Sequence, residues 1–522
     1  MKKTLIASLL LAALSAQAET VFRRGNGSEP KSIDPQLASE SSGSAIIYDT
    51  FEGLMTLGAD ASILPGVAEK WDISEDGKKY TFHLRDNAKW SNGDPVTAHD
   101  FVYAWQRAVN PATGGEYAFI LYAVENAKKI AEGEEKDLST LGIKAVDDRT
   151  LEITLDNPTP YFLDLLTHYT TYPVPQKVIE QHGEKWTQPG NIVSNGAYLV
   201  SEWQPQAQIT AKKSDTYWNA ANVAIDKVVY YATEEESSAL KRYRADELDY
   251  ILSMPIEQID WAKENLPDEL KISPYLATYW YNFNLTQPPF KDNPKLREAL
   301  TLAIDRKVLV EKITKAGQTP AYSVVPPAIA NAQPYLPDYA KLSNEERIKR
   351  AQQAYAEAGY SKDKPLKTHI LYNTNEGHKK IAIAIAAMWK QTLGVETELE
   401  NQEWKVMLEN VRQKKYSVSR YAWIGDYNDP YTFLEIFQQG IEMNQTGFDR
   451  PDYDAKLKEA AATLDLDARA KLLHDAEKIL TDEYAIMPIY HYVSVSMIKP
   501  YVKGYKENIK KVLPTQYLSI EK

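Results

Sequence analysis

A chain of 522 residues without a single cysteine must hold itself together by apolar burial alone. The missing thiol removes disulfides, thiolate metal sites, cysteine nucleophiles and a lipid-modified N-terminal cysteine together. The constraint matters because the chain begins as an exported protein does. Lys2 and Lys3 form a basic start, 5–14 is apolar but too short to cross a bilayer, and Ala16-Gln17-Ala18 is a small-x-small cleavage site. Residues 1–18 therefore read as a cleaved signal peptide, and the expected compartment is the periplasm of a two-membrane bacterium. No later stretch approaches the ~20 apolar residues of a membrane span, so no membrane insertion is expected. Single cores stop growing near ~250–300 residues, so two or three domains are expected, each with a core large enough to do without crosslinks.

Composition narrows the class further. With 60 Lys+Arg against 72 Asp+Glu the net charge is −12, which argues against a nucleic-acid partner that needs a basic face. The hydrophobic share of 43% excludes a mostly disordered chain. The count of 34 Tyr against 11 Phe shows a preference for rings with a polar tip.

Strand and helix patterns alternate along the chain, giving a mixed α/β or α+β fold. Residues 71–74 and 80–84 flank Glu75-Asp76-Gly77 and read as a hairpin, because Asp-Gly supplies positive φ. Thr97-Ala98-His99-Asp100 has the spacing of a capping box ahead of a helix over 101–107. Leu151, Ile153 and Leu155 alternate with polar residues as in a half-buried strand. Ile381, Ile385, Met388, Trp389 and Leu393 share one helical face, which Gly394 terminates. A second amphipathic helix spans 466–480, and an apolar, aromatic strand spans 485–498. No repeat and no Gly/Ser/Pro-rich linker is present, so the domains should share chain crossings rather than hang on a tether.

Enzyme signatures are missing. There is no Gly-x-Ser-x-Gly elbow, phosphate loop or His-Glu-x-x-His, and no two of the eight His are four residues apart, so neither a cofactor nor a metal is expected. Composition leaves one enzyme class open, an exported glycoside hydrolase, which needs only two facing carboxylates.

Three clusters mix charge with aromatic rings. In Arg420-Tyr421-Ala422-Trp423-Ile424-Gly425-Asp426-Tyr427-Asn428-Asp429-Pro430, Asp426 is either an ammonium-capturing carboxylate or, with Asn428, a turn former. In Tyr372-Asn373-Thr374-Asn375-Glu376-Gly377-His378, His378 either meets a carboxylate at a helix start or is a partly exposed helix-start residue. In Asn401-Gln402-Glu403-Trp404-Lys405, Trp404 is either the wall of a pocket or core.

These clusters also carry a resemblance. Together with Ala68-Glu69-Lys70-Trp71, Thr81-Phe82-His83-Leu84-Arg85, Ala88-Lys89-Trp90-Ser91, Pro95 through Tyr103, Trp186-Thr187-Gln188-Pro189 and Asn195-Gly196-Ala197-Tyr198, they resemble the large periplasmic peptide-binding proteins of ABC importers. This is the peptide/nickel solute-binding family 5, and the likeness is greatest to its oligopeptide- and murein-tripeptide-binding members. It runs from about Gly27 to the C-terminus. It implies a class II-like periplasmic binding fold, two lobes about a hinge, with an extra inserted domain. Domain I would comprise 19–51, 177–276 and 494–522, domain II 52–176 and domain III 277–493.

The resemblance also implies a function and a site. The protein would be a non-enzymatic, monomeric receptor that encloses short peptides between its lobes and delivers them to the permease subunits of an inner-membrane ABC transporter. Asp426 would bind the peptide α-amino group. Arg420 and His378 would meet its carboxylate. Backbone around Ala422 and Ile424, with Trp423 and the facing Ser41, would pair with the extended peptide. Tyr117, Trp404 and Tyr492 would line hydrated side-chain pockets. Alternatives within the family are murein-peptide, dipeptide or haem receptors, and a chaperone-like use of the same cleft is a further one.

The sequence departs from the family at several places. A disulfide of the oligopeptide binders falls on Ala277 and Ile424, and an acidic residue falls on Ser39, beside Glu40. A pocket arginine falls on Val411, beside Arg412, and a lysine for longer peptides falls on Thr314, beside Lys315. Either the register slips by one there or ligand preference has changed. The change at Val411 weakens a murein-tripeptide assignment most.

Overall fold

The long apolar strand expected near the C-terminus organises the molecule. In the computed structural model, which describes residues 19–327, 329–330 and 332–522, it runs over Ile486–Ile498 and lies at the centre of an eleven-stranded sheet. The signal peptide expected over 1–18 lies outside the described residues. On one side of this strand come Tyr250–Ile251, Val21–Gly25, Lys227–Tyr231, Gln208–Lys213 and Tyr198–Gln204. On the other come Leu270–Phe283, Val418–Ile424, Lys367–Asn373 and Glu396–Gln402, while Thr319–Pro320 adds a short pairing to the central strand.

The two longest strands make the connection between the two flanks. Leu270–Phe283 pairs with Ile486–Ile498 antiparallel in two stretches, 270–274 against 493–497 and 278–282 against 486–491, with the register shifting between Pro274 and Thr278. Pro274 has no N–H to give to the ladder, which suits it to a break. The ladder between the two long strands is thus interrupted at one irregular point.

A separate four-stranded antiparallel sheet orders Ala68–Ile73, Lys79–Leu84, Thr150–Thr154 and Ile143–Asp147. Its first two strands are the expected hairpin, turned at Gly77 with φ +69°. Leu151 and Ile153 face inward, fully buried. The capping box is present: the Thr97 side chain and Asp100 satisfy each other's backbone N–H at the start of the helix Ala98–Val109.

Glu376–Leu393 buries Ile381, Ile385, Trp389 and Leu393 and ends on Gly394 at φ +82°, the left-handed cap read from sequence. Leu466–Asp482 buries Leu473, Ala476 and Leu480. Trp105, Trp186, Trp280 and Trp389 are fully buried, each worth ~1.5–3 kcal/mol or more, so burial of this kind replaces crosslinks. Many of the tyrosines are core as well. Tyr230, Tyr217 and Tyr427 donate their hydroxyls to the buried carboxylates of Asp49, Glu52 and Glu435. A phenol fills apolar volume and supplies a neutral donor, so it helps an acid to be buried; Asp49 also has the Arg24 guanidinium at 3.9 Å.

Candidate functional site

The site grows from an unfinished sheet edge. Val418–Ile424 is paired on one side with the long strand from Phe283↔Val418 to Ala277↔Ile424. On its other side it pairs with Lys367–Asn373 only at Val418 and Ser419. From Arg420 onward no strand among the described residues lies beside that edge. The Gly425 N–H donates to the Leu276 carbonyl at 2.7 Å. Backbone direction alternates along a strand, so Tyr421 and Trp423 also turn their groups to the long strand. Arg420, Ala422 and Ile424 turn theirs to the open side. Gly425 is tight here: a Cβ would lie 2.8 Å from Leu276 Cδ2.

Beyond the open edge lies a cavity of about 360 Å³. The facing wall is the start of the helix Ser41–Thr50, with Ser39, Glu40, Ser41 and Tyr48. Tyr117 and His168 come from the region of the four-stranded sheet, Trp404, Met407 and Val411 from the helix Trp404–Arg412, and Lys510–Leu513 from the C-terminal segment.

One carboxylate in this wall is unmatched. Asp426 Oδ2 is buried and has no hydrogen-bond partner among the described residues. Its other oxygen lies 3.5 Å from His168 Nε2, with the aspartate side chain 11% exposed. The Asp426 N–H is tied to Thr432 Oγ1 at 3.1 Å, which fixes the backbone under the carboxylate. Turn formation in this loop falls to its neighbours instead. Asn428 Oδ1 accepts from the Ala330 N–H at 3.0 Å, and Asp429 Oδ1 accepts from the Tyr431 N–H at 3.0 Å. An acceptor buried without a donor costs several kcal/mol unless a ligand supplies one. The tyrosines around it register its charge: burial first, and Asp426 second, pushes Tyr117 well up.

Arg420 is the complementary group on the same strand. Its Nη2 donates to the Tyr492 hydroxyl at 3.0 Å, its guanidinium lies 5.0 Å from the Tyr279 ring centroid, and Nε is buried without a partner.

Nine of the ten residues singled out from sequence border this cavity: Ser41, Tyr117, Trp404, Arg420, Ala422, Trp423, Ile424, Asp426 and Tyr492. His378 does not. It follows the cap Asn375 in the helix Glu376–Leu393, with its ring 5.5 Å from that of Tyr279. Burial, and then the Arg420 cation, hold its pKa well below the usual imidazole range, so it is neutral as it stands. Of the departures, Val411 is buried on the cavity wall, while Arg412 turns outward to Glu409 at 2.7 Å. Thr314 is buried, and Lys315 faces Asp260 at 3.7 Å. Neither Arg412 nor Lys315 borders the cavity. Ala277 and Ile424 are cross-strand partners.

Sequence reasoning missed Glu116, His168, Tyr275, Lys510 and Lys511, which also border the cavity. They come from segments remote in sequence from the motif loop, and nothing in their local pattern marks them. Among the described residues no group of acids and histidines is arranged to hold a metal ion.

Comparison with known proteins agrees with this geometry. The model of the bacterial extracellular solute-binding proteins, family 5, middle region, matches residues 62–445. The chain is 43% identical to the periplasmic oligopeptide-binding protein OppA of Escherichia coli K12, over 97% of this chain and 96% of that one. It superposes with a TM-score of 0.94 on Haemophilus influenzae OppA in complex with RPPGFSPFR, at 40% identity over 97% of this chain and 99% of that one. Against the unliganded open form of the murein tripeptide-binding protein MppA the TM-score is 0.68, although identity is 38% over 96% of this chain and 98% of that one. The overall arrangement is thus nearer to that of the peptide complex than to that of the open form, at nearly equal identity. Matched by that family model over 62–445 and nearly end to end by a relative at 43% identity, the chain belongs to family 5 of the bacterial extracellular solute-binding proteins.

Proposed function

We propose that this protein is a periplasmic receptor for short peptides, which it encloses in extended form and hands to an inner-membrane ABC importer. The observation that carries the reading is the buried, unpartnered Oδ2 of Asp426 at the end of a free strand edge. A peptide supplies both missing partners. Its ammonium gives Asp426 a charge-assisted hydrogen bond, and its backbone completes the ladder at Arg420, Ala422 and Ile424. Arg420 then takes the carboxylate at the far end, with His378 behind it. Pairing through termini and backbone makes recognition tolerant of side chains, which meet the aromatic walls at Tyr117, Trp404, Trp423 and Tyr492.

The domain division fits the same reading. Domains I (19–51, 177–276, 494–522) and III (277–493) would be the closing lobes, joined by the two long strands at the Pro274–Thr278 shift, and 52–176 the inserted domain II. Export through a cleaved leader over 1–18, a monomeric state and docking on permease subunits complete the proposal. No helix of the described residues is long and apolar enough to cross a membrane, as a receptor released from its leader requires.

Mass spectrometry of ligand released by denaturing the purified protein, followed by calorimetry with the peptides found, tests this reading. Retained peptides of a few residues, rebound after refolding, are the expected result. A non-peptide ligand, or no binding of any di- to pentapeptide, would overturn it.

A further inference from the structure

The charges that border the cavity do not balance, and the imbalance has a sign. Most of them are matched within the protein. Arg24 faces Asp49 at 3.9 Å, Glu116 faces Lys31 at 2.8 Å, and Lys510 is paired with Asp164. Glu40 accepts the N–H groups of Lys31 and Ser39 at 2.7 and 3.2 Å, and burial pushes its carboxyl toward the neutral form. His168 lies against Asp426. What remains is one carboxylate, Asp426, and two cations, Arg420 and Lys511. Among the described residues neither cation has an acid within 4.0 Å, and the hydrogen bond of Arg420 goes to a neutral phenol.

Lys511 is the less expected of the two. Its neighbour Lys510 is neutralised by Asp164, whereas Lys511 turns to the cavity with its Nζ 5.5 Å from the Tyr275 ring centroid. Its backbone is held in the left-handed region at φ +55°, a conformation unfavourable for a non-glycine residue that persists only where surroundings impose it. Those surroundings are visible. The Leu276 N–H donates to the Ile509 carbonyl at 2.8 Å, and Asn508 accepts from the Val512 N–H at 3.1 Å and from the Lys511 N–H at 3.2 Å. The segment is pinned to the long crossing strand on one side of its lysine and clamped around it. Burial lowers the Lys511 pKa to about 8, and the nearest acid acting on it, Glu236, is bonded to Asn375 at 3.1 Å. A half-buried cation without an acid beside it gains from an anion brought to it.

We propose that Lys511 is a second anion anchor of the cleft, so that the preferred ligands are peptides carrying one more carboxylate than ammonium. The proposal rests on the peptide reading above. One ligand ammonium is matched by Asp426, and two ligand carboxylates are matched by Arg420 and Lys511. The second carboxylate is either an acidic side chain or the chain terminus, with the other taking Arg420. Neither Val411 nor Thr314 supplies a cation from the opposite lobe, so the extra charge is met from the C-terminal segment instead.

Calorimetry of the full chain decides it, using Ala-Ala-Ala, tripeptides with Asp at position two or three, and the C-terminal amides of the Asp peptides, against wild type, Lys511→Met and Lys511→Arg. Wild type should bind the best Asp tripeptide about tenfold more tightly than Ala-Ala-Ala. Lys511→Met should cut that advantage to about twofold, with Ala-Ala-Ala and the thermal midpoint little changed, and Lys511→Arg should restore most of it. Loss of amide binding in Lys511→Met assigns the side-chain carboxylate to Lys511, and loss confined to free acids assigns the terminus; either supports the proposal. An Asp advantage that survives Lys511→Met, or is absent from wild type while Ala-Ala-Ala binds, overturns the anchor alone. Failure of every peptide to bind wild type overturns the peptide reading and the anchor with it.

Discussion

Asp426 and Asp429 lie three residues apart in one loop, are both buried, and have opposite circumstances. Asp429 forms a two-pronged pair with Arg469, at 2.6 and 2.8 Å, with both side chains almost fully enclosed. Arg469 in turn lies over the Tyr161 ring at 5.1 Å. Asp426 has a histidine at 3.5 Å on one oxygen and nothing on the other. The first carboxylate is matched by the protein and holds the loop; the second is not matched among the described residues, which is the ground for the proposed ammonium contact. Burial alone does not separate a structural acid from a functional one. The state of its lone pairs does.

Four substitutions or ligand changes break or sharpen this contrast. Asp429→Ala leaves the Arg469 guanidinium buried without its partner and should cost about 3–5 kcal/mol of stability, read as a drop in denaturation midpoint. A drop no larger than that of Asp426→Ala would erase the distinction. Asp426→Ala should weaken peptide affinity by about 2–5 kcal/mol while leaving stability equal or higher, because it removes an uncompensated charge.

Glu52 gives the contrast a third case, an acid matched by neutral donors. It accepts from the Tyr217 hydroxyl and from Trp218 Nε1, both at 2.6 Å, and burial raises its pKa to about 7. A carboxyl with a raised folded pKa binds more protons folded than unfolded between about pH 4.5 and 7, so its contribution is present below that window and is lost as pH rises through it. Glu52→Gln cannot titrate. Its stability relative to wild type should improve by about 1–3 kcal/mol between pH 5 and pH 8, and a pH-independent difference would show the acid is not strained. The smallest effect concerns the strand edge: N-methylating one peptide amide that faces Ala422 or Ile424 should cost about 1 kcal/mol in calorimetry. No cost at any position would mean the backbone is not paired.

How much of this was legible beforehand follows from where the information is local. The hairpin at Asp76-Gly77, the Thr97–Asp100 box and the Gly394 cap are written in a few adjacent residues and appear as read. The motif loop marked Asp426 as a residue to watch, but its own pattern fitted a turn equally well. Only the bonding of the folded loop separates the two readings: Thr432 holds the Asp426 N–H, Asn428 reaches Ala330 and Asp429 holds the Tyr431 N–H. Lys511 had no signal at all, because what distinguishes it from Lys510 is an aspartate some 350 positions away in the chain. Which of Val411 and Arg412 faces the cavity depends on the helix face, and Val411 is the buried one.

The central claim is that Asp426 exists to hold a ligand ammonium. A double-mutant cycle tests it most directly, with wild type and Asp426→Ala each titrated with a bound tripeptide and with the same peptide N-acetylated. The account predicts a coupling energy of about 2–5 kcal/mol, with the variant nearly indifferent to acetylation. Equal losses on acetylation in both proteins would contradict it.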